Sequence, residues 1–206
     1  MKSWGRALGW GSAIVGALCL LLYLFVFDTW VVPGDDPMFA VSVMPQLAAN
    51  DRILLRRGST PRVGELARCK KTDGTYVVGR VFGDRGSNVK VVNETVSVNG
   101  IGVSSRHGCP PQTLIHPVSA QETKLGCSVE ENPAWSYSVL RHIEFSEGDH
   151  SAVVPEGHLY LVSDNRAFHQ DSRDFGTVEE STCQHVVYRL WGDSFTEASR
   201  RFTILW

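Results

Sequence analysis

The sequence has no tract of basic residues. Its 20 Lys and Arg stand against 22 Asp and Glu, for a formal charge of −2 and a pI near 6.4, which argues against a nucleic-acid-binding surface. It has no Cys-x-x-Cys and no paired histidine spacing, so a metal site is not expected, and nothing implies an organic cofactor. There is no internal repeat and, beyond residue 28, no long amphipathic helical pattern. From Ala7 to Phe27 there is no charge at all.

That uncharged stretch is the first positive signal. At about 1.5 Å per residue it reaches roughly 30 Å as a helix, the thickness of a bilayer core. Its second half is continuously apolar around Leu20-Leu21-Leu22 and Leu24-Phe25-Val26-Phe27, with Trp10 near one end and Trp30 just past the other, where amphipathic rings favour the interface. It ends in bulky groups rather than the small residues of a cleavage site, so it reads as a retained anchor and not a removable leader. Lys2 and Arg6 precede it, which places residues 1–6 in the cytoplasm by the positive-inside rule. The expected organisation is a cytoplasmic N-terminus over 1–6, a transmembrane helix over 7–27, a linker over 28–37 and an exported domain over 38–206, single-pass in the inner (plasma) membrane.

Placement outside the cytoplasm gives Cys69, Cys109, Cys127 and Cys183 an oxidising environment. Three complete pairings are open, and sequence does not choose among them. Cys109 and Cys127 share a loop-rich stretch and make the favoured bridge. Cys69 and Cys183 sit in strand-like runs that also suit buried thiols.

Strand signals dominate the exported part. They fall at Arg52–Leu55, Glu65–Cys69, Tyr76–Phe82, Val89–Val92, Thr95–Val98, Tyr137–Ile143, His158–Val162 and Val186–Trp191, with Asp73-Gly74 and Asn99-Gly100 as turn signals. Residues 101–154 read as an irregular insertion, poorest in pattern over 101–134, where Pro110, Pro111, Pro117 and Pro133 fall. The fold class is mainly β.

Two segments carry chemistry: Ala40-Val41-Ser42-Val43-Met44-Pro45, and the run from Pro155-Glu156-Gly157-His158 through Asp164-Asn165-Arg166 to Asp171-Ser172-Arg173. With the anchor, and with Tyr76-Val77-Val78-Gly79-Arg80-Val81-Phe82-Gly83 between them, they resemble the type I (leader) signal peptidases. The resemblance implies an all-β catalytic domain with a long hairpin behind one N-terminal helix. It also implies a membrane-bound serine endopeptidase of the Ser/Lys dyad type, with signal peptides of exported preproteins as substrates and the bilayer as partner. Ser42 matches the nucleophile. Asp164, Arg166, Asp171, Ser172 and Arg173 match the box that supports the active site, as a charged hydrogen-bond network behind it.

One departure matters. The resemblance expects a lysine immediately before Arg80, and the residue there is Gly79, which supplies no base. His169 stands where the family has a serine that supports the lysine, and histidine is the commonest general base. Ser42 with His169, oriented by Asp171 or Asp164, is therefore the candidate arrangement. A second option is Lys70. If Asp73-Gly74 is a two-residue turn, Lys70 shares a sheet face with Gly79, one diagonal away. The alternative is a non-catalytic member of the family that binds preproteins or a membrane partner.

Overall fold

A computed structural model of the chain describes residues 2–131, 136–144 and 148–205, with the backbone alone for 2–9 and 107. Pro133 of the expected insertion lies outside the described residues. The chain opens with helix α1 (Lys2–Val26), followed by β1 (Phe27–Val31), the short helix α2 (Pro37–Ser42), β2 (Arg52–Arg56), β3 (Leu66–Lys70) and β4 (Tyr76–Gly83). Then come β5 (Asn88–Val92), β6 (Thr95–Val98), β7 (Ile101–Gly102), β8 (Ser104–His107), β9 (Gln112–Ile115), β10 (Glu122–Glu131), β11 (Ser136–His142) and β12 (His150–Val153). The last part is β13 (His158–Val162), the one-turn helix α3 (Ser172–Phe175), β14 (Val178–Glu179), β15 (Cys183–Trp191) and β16 (Thr203–Ile204).

The fold is mainly β. One eight-stranded sheet runs β1-β2-β15-β3-β4-β13-β14, with β16 on β15, and two four-stranded sheets flank it: β11-β10-β8 with β9 on β10, and β12-β5-β6-β7. Alternation explains the buried faces. In β2, Ile53 and Leu55 are inside; they join Val32, Phe39, Val43, Leu47, Val78 and Val186 in one core cluster. In β5, Val89 and Val91 are inside between exposed neighbours and pack with Val96, Tyr137 and Val154 in a second. The β5–β6 turn places Asn93 and Glu94 at φ of 47° and 60°, the left-handed pair of a two-residue hairpin.

Three expectations change. The stretch 28–37 is not only a linker, because Phe27–Val31 is the edge strand β1, paired with β2. The described residues of 101–154 are not irregular. They hold the whole β8–β11 sheet, whose partners pair antiparallel over long registers such as Leu125↔His142 to Glu131↔Ser136; Pro110, Pro111 and Pro117 fall between the strands. Third, α1 runs 25 residues, but among the described residues no helix is long and apolar enough to cross a membrane. Phe27, the last residue of the expected span, already belongs to β1.

Both cysteine pairs are bridged. Cys109–Cys127 ties the β8–β9 connection to β10, and Cys69–Cys183 links β3 to β15 across directly facing positions, with Cα atoms 4.0 Å apart. Of the three pairings the sequence left open, the structure has the one that joins Cys69 to Cys183, because the antiparallel register sets them opposite each other.

Candidate active site

Ser42 closes helix α2. Asp36 caps that helix, accepting from the N–H groups of Met38 and Phe39 at 3.0 Å each, and Pro37 occupies its first turn, where a missing N–H costs nothing. Met38–Val41 is therefore a helical turn, and Ser42 at its end is fully buried. Its Oγ donates to Phe39 O at 2.8 Å. Among the described residues no basic side chain hydrogen-bonds to it.

The second segment is folded against this turn. Asn165 donates its Nδ2 to Val41 O at 2.9 Å and its backbone N–H to Ser42 O at 3.4 Å, while its Oδ1 receives Phe168 N–H at 3.0 Å. Ala167 and Phe168 pack with Val41 and Met44, the residues around Ser42. Asn165 carried no assignment in the sequence, yet it makes the direct contacts to the serine's own backbone.

Three buried charge pairs hold the segment. Arg80 grips Asp164 with two bonds, Nε to Oδ1 at 3.0 Å and Nη2 to Oδ2 at 2.9 Å, donates Nη1 to Gly64 O at 2.8 Å, and lies over the Tyr137 ring. Arg166 donates Nε to Ser163 O at 2.8 Å and forks onto Glu130 at 2.9 and 2.8 Å. Glu130 also accepts from Tyr137 OH at 2.6 Å and from Arg141. Burial raises the Glu130 carboxyl, but the charges of Arg166 and Arg141 and the hydrogen bonds outweigh it and leave the group below its ordinary range. Asp171 accepts from Arg173 through Nε at 3.0 Å, Nη2 at 2.8 Å and the backbone N–H at 2.9 Å, and from Ser163 N–H at 2.7 Å. Burial pushes that carboxyl up. The Arg173 charge and hydrogen bonds, aided by His169 and Ser163 N–H, prevail and hold it at about 2. Ser172 turns its Oγ to Leu161 N–H at 2.9 Å, fastening α3 to β13.

His169 is oriented by a carboxylate that sequence reasoning missed. Its Nδ1 lies 2.9 Å from Asp174 Oδ2 and 3.9 Å from Asp171 Oδ1. Asp164, the other expected partner, is engaged by Arg80. Asp171 and Asp174 form a reciprocal cap on α3, and the Asp-x-x-Asp spacing that announces it was legible. The donor atoms of His169, Asp171 and Asp174 lie within 4.8 Å of one another. Both Asp171 oxygens are taken by Arg173 and backbone N–H groups, however, so the three form a hydrogen-bonded unit and not a free set of metal ligands. A histidine with Nδ1 fixed on a carboxylate is held in one tautomer and orientation, the arrangement that suits proton transfer at Nε2.

The β3–β4 register removes the Lys70 option. The turn carries three central residues, with Lys71 N–H bonded to Thr75 O at 2.8 Å, so Ala67 faces Gly79 and Lys70 faces Tyr76. A one-residue slip from the two-residue expectation moves every side chain to the other face, and Lys70 lies opposite to the face of Gly79. At Gly79 a Cβ would meet Leu161 Cβ at 3.2 Å and the Val162 carbonyl carbon and oxygen at 3.4 Å each. Strand β13 is closed tightly over the position.

Comparison with known proteins identifies the family. Residues 6–191 match the family described as signal peptidase, peptidase S26. Signal peptidase I T of Bacillus subtilis is 27% identical over 189 residues, covering 87% of this chain and 82% of that protein. Signal peptidase I of Bacillus amyloliquefaciens is 26% identical over 181 residues, covering 84% and 78%. A crystal structure of a signal peptidase I from Enterococcus faecalis aligns with 63% of this chain and 97% of its own, at 22% identity and a TM-score of 0.38. With nine-tenths of its length inside one family match, the chain belongs to the type I signal peptidase family.

Proposed function

We propose that this chain is a membrane-anchored serine endopeptidase that removes signal peptides from exported preproteins, with Ser42 as nucleophile and His169 as general base. The observation that carries the reading is the clamp of Asn165 on the Val41 and Ser42 carbonyls, backed by the three buried charge pairs, which fixes the serine's backbone to the segment bearing His169. Attack requires the Ser42 hydroxyl to leave Phe39 O and rotate about χ1, an exchange of one neutral hydrogen bond of about 1 kcal/mol. His169, braced by Asp174, then takes the proton.

The anchor belongs to the same proposal and rests on the uncharged run Ala7–Phe27, since among the described residues no helix is by itself long and apolar enough to cross a membrane. The backbone of α1 spans 25 residues, roughly 37 Å at 1.5 Å per residue. Ile14, Val15, Leu18, Leu20, Leu21, Leu22, Leu24 and Phe25 are exposed along it, as lipid-facing residues would be. The β domain would then stand outside, where its two disulfides persist.

A second reading is favoured by the Ser42 geometry itself: a preprotein-binding homologue that does not cleave, because the hydroxyl is bonded to its own helix and Gly79 provides no amine. Cleavage of purified preproteins in detergent by the wild type, Ser42→Ala and His169→Ala separates the two. The peptidase reading expects both variants to lose about 10⁴- to 10⁶-fold in rate. An inactive wild type that still binds preproteins would establish the second reading, and full activity in His169→Ala would remove this histidine as the base.

A further inference from the structure

Two adjoining cavities open on the outer face of the large sheet, where the chain leaves α1, and the peptidase reading uses neither. Strand register fixes their place. Phe27, the first residue after α1, pairs with Arg56, and Arg56 pairs on its other side with His185. In β2 the core takes Ile53 and Leu55, so Leu54 and Arg56 face outward together.

The first cavity, about 590 Å³, is walled by Val26, Phe27, Leu54, Val187 and Tyr188, with Arg56 at its border. The second, about 260 Å³, is lined by Ser59, Thr60, Arg62, Glu65, His185 and again Arg56. Among the described residues the guanidinium groups of Arg56 and Arg62 enter no hydrogen bond or ion pair. Their neighbour Arg57, by contrast, is engaged with Phe27 O at 2.8 Å and Asp28 at 3.5 Å. The one acid present, Glu65, already receives Arg62 N–H at 2.9 Å and faces His185 Nδ1 at 3.5 Å. Burial holds His185 below its ordinary pKa, with Glu65 raising it and Arg56 lowering it, so the positive charge of the cavity comes from the two arginines.

We propose that the paired cavities bind one phospholipid with an anionic headgroup, its acyl chain against Phe27, Leu54 and Val187 and its phosphate between Arg56 and Arg62. Planar guanidinium groups match phosphate oxygens two at a time, and the Ser59 and Thr60 hydroxyls supply further donors. A free phosphate fits the second cavity but leaves the apolar first one, joined to it through Arg56, without a role. An amphiphile fills both. The site also lies where the chain exits the anchor, at the depth of lipid headgroups. In that respect the inference rests on α1 being embedded in the bilayer.

The test uses the full chain in dodecyl maltoside micelles, titrated with short-chain phosphatidylglycerol, short-chain phosphatidylcholine and inorganic phosphate, with bound species read by native mass spectrometry. Saturable phosphatidylglycerol binding is expected, weakened about tenfold or more in the Arg56→Gln/Arg62→Gln double variant. Leu54→Gln should weaken lipid binding and leave phosphate binding unchanged. Equal melting temperatures in the variants report an intact fold. Equal affinity of the double variant for phosphatidylglycerol, or no preference over phosphatidylcholine, overturns the proposal. So does phosphate binding without saturable lipid binding. The anchor is tested separately by alkaline extraction of membranes carrying the chain: release into the supernatant sinks the anchor and leaves the micelle result standing.

Discussion

Replacing Arg80 by methionine should show how much the candidate site depends on its buried charge. Arg80 is fully buried and Asp164 is 2% exposed; the pair is joined by two parallel bonds. Removing one partner leaves the other as an uncompensated buried charge, which costs about 3–5 kcal/mol. At 2–4 °C per kcal/mol for a chain of this size, that lowers the melting midpoint by roughly 6–20 °C. Asp164→Leu should cost about as much by the same reasoning. The double variant should do much better than the sum, because an apolar pair of similar volume in place of a buried ion pair is often neutral. The residual loss, about 1–3 kcal/mol, comes from Gly64 O, which no longer has a donor. The measurement is thermal unfolding of the full chain in detergent, followed by tryptophan fluorescence, for the four members of the cycle. A single-variant loss under about 1 kcal/mol, or additive losses in the double variant, would refute the claim that this pair is a coupled, desolvated unit.

Other consequences follow from the same structure. Asp171 is held at about 2 in the folded chain against an ordinary 3.8; a depressed carboxylate gives stability that is complete above about pH 4 and lost as pH falls toward 2, worth about 2 kcal/mol. Unfolding midpoints measured across that window should fall in the wild type and vary less in Asp171→Asn, which starts lower at neutral pH. The Cys69–Cys183 bridge closes 114 residues and Cys109–Cys127 closes 18, so paired Cys→Ala replacement should cost about 4–5 and about 3 kcal/mol respectively, and the reverse order of melting temperatures would contradict the loop-closure argument. Ser163 Oγ is buried with no hydrogen-bond partner among the described residues, so Ser163→Ala should raise stability by about 1–2 kcal/mol. Gly79→Lys should lower it by about 1–3 kcal/mol, since Leu161 and the Val162 backbone leave its Cβ too little room; an unchanged melting temperature would show that β13 gives way.

Local signals carried far in this chain. The strands at Arg52–Arg56, Asn88–Val92 and His158–Val162 are legible because alternation, β-branched residues and turn chemistry act over a few neighbours. The box from Asp164 to Arg173 is legible through its resemblance to the signal peptidases, carried by the run from Pro155-Glu156-Gly157-His158 through Asp164-Asn165-Arg166 to Asp171-Ser172-Arg173. The register of β3 and β4 was not legible. A three-residue turn and a two-residue turn fit the same Asp-Gly pair, and the difference reverses the face of Lys70. Within 101–154 the strand at Tyr137–Ile143 was legible, whereas β8, β9 and β10 were masked by Pro110, Pro111 and Pro117 between them, and Glu130, buried in β10, has no local mark in sequence. Its role exists only once β10 lies beside Arg166.

The order of segments, the uncharged N-terminal run and the glycine at position 79 are properties of residue identity and spacing and were open to reading in the sequence, and the resemblance of those segments to the signal peptidases pointed to Ser42 as the candidate nucleophile. Tertiary structure alone decided that Ser42 ends a capped helical turn with its hydroxyl on Phe39 O, that Asp174 braces His169, and that Cys69 faces Cys183. These depend on which strands pair and how deeply a group is withdrawn from water, and the burial and pairing energies that set them are sums over residues far apart in the chain.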